Sequence, residues 1–130
     1  LAKTLTILGS NIRDIPSFYA EINRVFMTEE DWALGHSLDG FDDMLHGGYG
    51  AIAGQEPVTL VWRGFDGSRS ALGVETTRAI LHEKLQRPDL FDTARICRQL
   101  AELEQGTGPT YFDIILGIIA DHRNIELVIA

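Results

Sequence analysis

Asp39, Asp42, Asp43 and His46 lie close together in the stretch 32–50, WALGHSLDGFDDMLHGGYG. A helix over Leu38–His46 places Leu38, Phe41 and Leu45 on one stripe, with Met44 at its edge. Asp39, Asp43 and His46 take the opposite stripe, and Asp42 falls on the border. Carboxylates three and four residues apart repel by about 0.2–0.5 kcal/mol per pair on an exposed helix. The helix dipole helps an acid only in the first turn. Such a face is either merely solvated or meets something positive, a cation or a basic surface. The spacing of Asp39, Asp43 and His46 can supply part of a metal shell when other elements add ligands. No His-Glu-x-x-His run completes one. The expectation is therefore no metal and no cofactor, with a basic surface as the counterpart.

Other chemistries find less support. Gly47-Gly-Tyr-Gly50 looks like a phosphate-cradling loop, but it follows a helix and no Gly-Lys-Ser/Thr comes after it. No Gly-x-Ser-x-Gly occurs, which argues against acyl transfer. Among the histidines, His36 and His122 flank helix ends and read as surface residues. The single cysteine, Cys97, cannot form an internal disulfide, which fits a reducing compartment. Arg95 and Arg98 beside it could make it reactive, but a small buried apolar residue on a helix is the plainer reading. The net charge of −8 disfavours direct nucleic-acid binding and suits a basic partner. The start of the chain, LAKTLTILGS, reads as a strand and not as a signal peptide, and no run approaches a membrane span. A cytoplasmic protein is expected.

Strands and helical segments alternate around this stretch. Leu1–Gly9 alternates as a first strand before a Gly9-Ser10-Asn11 turn. Phe18, Ile22, Val25 and Phe26 mark a helix over about Ile15–Met27, with Pro16 in its first turn. Glu29-Glu30-Asp31 is a charged connector. Ser37 caps the acidic helix, and Gly47-Gly48 ends it. Pro57–Arg63 is a buried strand with Val58, Leu60 and Trp62 on one face. After a Gly64–Gly67 turn, Val74, Leu81 and Leu85 mark one helix, and Leu90, Ala94, Cys97 and Ala101 mark a second. Thr110 and Asp113 form a capping pair for Tyr111–Asp121, which is apolar nearly all round and should be buried. Asn124–Ala130 closes the chain as a strand. At 130 residues the chain reads as a single domain, 1–130, of α/β class. The simplest arrangement is a small three-stranded parallel sheet covered by helices.

Three segments carry a resemblance. Gly35-x-x-Leu38-Asp39-Gly40-Phe41-Asp42-Asp43-Met44-Leu45, then Leu60-Val-Trp-Arg-Gly-Phe65, then a last helix followed by Ile125-Glu-Leu-Val-Ile129 resemble, in order and spacing, the barstar family of intracellular inhibitors of barnase-type ribonucleases. The likeness covers most of the chain outside roughly 67–108, where an extra helical segment separates the second and third strands. It implies a non-enzymatic protein whose acidic helix enters a ribonuclease active site. Asp39 and Asp43 fall on the family's two interface aspartates, and Asp42, Gly35, Gly40 and Trp32 complete the expected contact set. The chain also departs from the family. Asp42 stands where the archetype has a Trp, Ala33-Leu34 replace an aromatic pair, and Ser37 replaces an asparagine. An acidic contact of the last helix falls on Gly117, with Asp121 as a substitute if the alignment slides.

The expected function is thus inhibition of a basic ribonuclease through Asp39, Asp42 and Asp43. Two alternatives stay open: an adaptor for another basic protein, and a metal-dependent enzyme using Asp39, Asp42, Asp43 and His46. Trp32 can anchor its loop or sit at an interface, where tryptophan is enriched.

Overall fold

Runs rich in β-branched and apolar residues form the strands β1 (Lys3–Leu8), β2 (Val58–Arg63) and β3 (Ile125–Ile129). The computed structural model describes residues 2–130, so Leu1 lies outside the described residues. The sheet is parallel throughout, in the order β1-β2-β3, with Leu5 opposite Leu60 and Leu60 opposite Leu127. Parallel neighbours cannot be joined by tight turns, and helices make the crossovers. Between β1 and β2 run α1 (Ile15–Phe26) and α2 (Leu38–Leu45). Between β2 and β3 run α3 (Phe65–Ala71), α4 (Val74–Leu85), α5 (Thr93–Gln105) and α6 (Tyr111–Asp121). The protein is an α/β fold with a three-stranded parallel sheet and flanking helices.

Paired on both edges, β2 buries Val58, Leu60 and Trp62 fully and Thr59 and Val61 in part. Trp62 is the hub of the core. Phe112 of α6 lies 5.4 Å from its ring, Phe65 of α3 5.8 Å, and Phe18 of α1 6.4 Å. Its indole N–H donates to the Ser68 hydroxyl at 2.9 Å, so the polar edge is satisfied inside the core. Phe18 in turn meets Phe41 of α2 at 5.6 Å, which ties the acidic helix into the same cluster.

Capping fixes where helices begin. Asp14 and Ser17 form a reciprocal box at the start of α1, and Thr110 and Asp113 form one at the start of α6. Three expectations need correction. Gly64–Gly67 is not a turn: Gly64, in the left-handed region at φ 64°, is the N-cap of α3, which begins at Phe65. The buried stripe of α5 is Ile96 and Leu103, with Leu100 at its margin; Leu90, Ala94, Ala101 and Cys97 are exposed. Those inward residues meet Leu81 and Leu85 of α4 in a satellite cluster separate from the main core. The third correction concerns α6, which is buried on one face only, through Tyr111, Phe112, Ile115 and Ile119, while Ile114 is exposed.

One buried charge links α1 to the end of β1. Glu21 is 2% exposed and accepts from the Leu8 N–H at 2.7 Å, from Asn11 Nδ2 at 2.8 Å and from the Arg24 guanidinium at 2.6 Å. Burial pushes its carboxyl up, but the bonds from Arg24, Asn11 and Leu8 together hold it below the ordinary 4.5. A depressed folded value means that this stabilisation is present above pH 4.5 and is lost as pH falls through the folded value. Urea midpoints measured from pH 7 down to pH 3 should therefore drop in the parent chain, and its lead over Glu21→Gln should narrow as they do. A constant lead across that range would exclude Glu21 as a source of acid sensitivity.

Candidate functional site, an acidic helix on a fixed base

The loop entering α2 is fastened before the helix starts. Asn23 of α1 clamps the backbone of Leu34: its Oδ1 accepts from the Leu34 N–H at 2.7 Å and its Nδ2 donates to the Leu34 carbonyl at 3.1 Å. The His36 ring then stacks on Tyr19 at 5.2 Å. Ser37 caps the helix, its hydroxyl accepting from the Gly40 N–H at 3.1 Å. Phe41, Met44 and Leu45 anchor the inner face, with Leu38 half-buried beside them. Gly47, at φ 86°, ends α2 so close to the backbone of Gly54 that a Cβ there would collide with it.

The outer face of α2 presents Asp39 and Asp43, one turn apart and both exposed. Among the described residues neither carboxylate takes part in an ion pair. Beyond Asp43 lies an aromatic pair, Trp32 and Tyr49, with ring centroids 4.8 Å apart. Burial and the charge of Asp43 hold the Tyr49 phenol above its ordinary value, which places the two groups in one electrostatic neighbourhood. The Glu30 carboxylate accepts from the Gly50 N–H at 2.9 Å and ties the charged connector to the Tyr49 loop. Beside Asp39 opens a cleft of about 830 Å³, lined among others by Pro16, His36, Ile80, Lys84 and Phe91.

The remaining site residues are placed as follows. Trp32 is 45% exposed, so its ring both packs on Tyr49 and faces solvent. Gly35 is exposed with nothing near its Cβ position, and at Gly40 a Cβ would make only ordinary contacts with Leu34 and Ser37. Asp42 turns away from its neighbours: its Oδ1 lies 2.7 Å from Nε2 of His122, the residue that caps α6. His122 is 7% exposed, which corrects its reading as a surface residue. Gly117 and Asp121 are both exposed on α6, and Asp121 directly precedes His122. Tyr49 was missed from sequence. Its signal was an aromatic residue set among glycines just past an acidic helix.

Among the described residues, no helix is long and apolar enough to cross a membrane. No curated protein matches the chain. A family model described as Barstar (barnase inhibitor) matches residues 2–89. The match runs from β1 through α4, so it includes two helices outside the sequence likeness and stops short of α5, α6 and β3. Covering most of the chain and the whole of the acidic helix, it makes this protein a member of the barstar family, a family of barnase inhibitors.

Proposed function

We propose that this protein binds a basic ribonuclease and blocks its active site with the outer face of α2. The observation that carries this reading is the pair Asp39 and Asp43, exposed and, among the described residues, without ion-pair partners on a helix whose inner face is locked into the core. An RNA-cleaving site gathers cations around a phosphate, and two carboxylates on a rigid helix complement it without reordering. Asp42 has a different part in the same surface, joining α2 to α6 through His122. Trp32 and Tyr49 offer an aromatic contact beside Asp43, and Gly35 and Gly40 keep the surface low where the partner approaches. The cleft next to Asp39 accepts a side chain of the nuclease rim. The mechanism is occlusion, with the substrate's phosphate position filled by a carboxylate and no bond made or broken.

The test is inhibition of barnase-type ribonucleases by the purified chain, with association rates followed by stopped flow. Inhibition should reach one inhibitor per enzyme. The association rate should fall steeply as salt rises, because surface charges attract over only about 10 Å at 0.1 M ionic strength. Failure to inhibit a panel of basic ribonucleases, alongside tight binding to a different basic protein, would replace this reading with an adaptor.

A further inference from the structure

We infer that Asp42, His46 and His122 form a binding site for a transition-metal dication of the zinc class. One carboxylate oxygen and one nitrogen from each imidazole lie within 4.8 Å of one another. The donors come from two elements, α2 with its C-cap His46 and the C-cap of α6, which are far apart in the chain and meet only in the fold. The two imidazoles are edge to face at 4.7 Å, and Asp42 Oδ1 lies 2.7 Å from His122 Nε2. The Asp42 carbonyl oxygen, 3.0 Å from Nδ1 of His46, fixes the orientation of that ring, as second-layer contacts do around metal-binding histidines.

The donor set selects the ion. Two imidazoles and a carboxylate suit zinc and its neighbours, whereas magnesium and calcium take oxygen ligands. Tetrahedral zinc ligands at about 2.0–2.1 Å stand about 3.3 Å apart. The Asp42–His122 contact must open slightly to reach that spacing, and the exposed His46 can approach with its Nδ1 still held by the Asp42 carbonyl. The ion would take the Nε2 lone pair of a neutral His122, whose ring proton then sits on Nδ1, so that the imidazole stays neutral and the Asp42 carboxylate is left as an anionic ligand. His122 forms the buried wall of the site, while Asp42 and His46 leave the opposite side open for a water or a partner's ligand. Two of these three residues belong to the acidic helix, yet Asp39 and Asp43 take no part, so metal binding stands or falls independently of nuclease inhibition.

The experiment is calorimetric titration of the untagged chain with zinc sulfate, with thermal melts alongside. One saturable equivalent is expected, with a raised melting temperature, since the ion would bind the folded state. His46→Ala and Asp42→Asn should each weaken binding by about tenfold or more, and His82→Ala, on exposed α4 surface, should not. Both weakening variants leave the buried His122 in place, so loss of fold is not confused with loss of a ligand. Magnesium in large excess should not compete. Absence of saturable zinc binding, or binding unchanged in His46→Ala, would overturn the site and leave the Asp42–His122 contact as a purely structural tie.

Discussion

Asp43→Ala is expected to weaken the complex with a basic ribonuclease by about 2–5 kcal/mol, the range for truncating one partner of a buried, hydrogen-bonded charge pair. Much of that loss comes from the nuclease cation left buried without its counterion, and it should appear mainly as faster dissociation. The variant should fold normally, because Asp43 is exposed and the inner contacts of α2 are untouched. Removing one of two like charges four residues apart should even stabilise the free protein slightly, by about 0.2–0.5 kcal/mol. Opposite signs for stability and binding are the signature of a charge placed for a partner and not for the fold. Glu29→Ala, a surface change in the connector, should leave affinity within about 0.5 kcal/mol. Surface plasmon resonance gives the rates and urea titration the stability. Equal small losses of affinity at Asp43 and Glu29 would remove α2 from the binding surface.

The largest stability effect is expected at Trp62, where alanine should cost about 3–5 kcal/mol. Its side chain is fully buried and contacts rings from α1, α3 and α6, so no single neighbour can relax into the space. The substitution also strands the Ser68 hydroxyl, itself fully buried, without its donor. Against a domain stability of about 5–15 kcal/mol, the loss brings the chain close to unfolding. Trp62→Phe keeps a ring in the cluster and should cost less than the alanine variant. Urea unfolding followed by circular dichroism separates the two. Similar losses for both would place the stabilisation in the indole hydrogen bond and not in ring packing.

Features set by neighbours in sequence were legible. The Thr110–Asp113 box, the Ser37 cap and the alternation in β1 and β2 act over a few residues, and the strands, α1, α2 and α6 lie close to where their residues place them. Legibility failed where the deciding contact is distant or where two patterns compete. In α5 a stripe through Ala94 and Cys97 and a stripe through Ile96 and Leu103 both have helical spacing. Only packing against Leu81 of α4 selects the second. In α3 two glycines suggested a turn, while the helix takes its inward hold from Phe65 and Ser68. His122 looked like surface because its partner, Asp42, lies 80 residues away. Within the candidate site, the placing of Asp39 and Asp43 on one exposed helix face was readable from their spacing. The aromatic neighbour of Asp43 was not, because Tyr49 reaches Trp32 only once Gly47 has turned the chain back.

The parallel sheet also sets an order of events in folding. Lys3 pairs with Val58 and Val58 pairs with Ile125, so each strand pairing closes a loop of more than fifty residues. Loop closure of that length costs entropy before any ladder bond repays it, which makes high-contact-order folds slow. During synthesis β1, α1, α2 and β2 all emerge before α6 does. The acidic helix can therefore find its place against Phe18 early, but it lacks its tie to α6 until His122 reaches Asp42. A nascent chain would carry its two carboxylates on a helix not yet tied to α6. The proposed binding surface gains its tie to α6 only when the last part of the chain folds onto it.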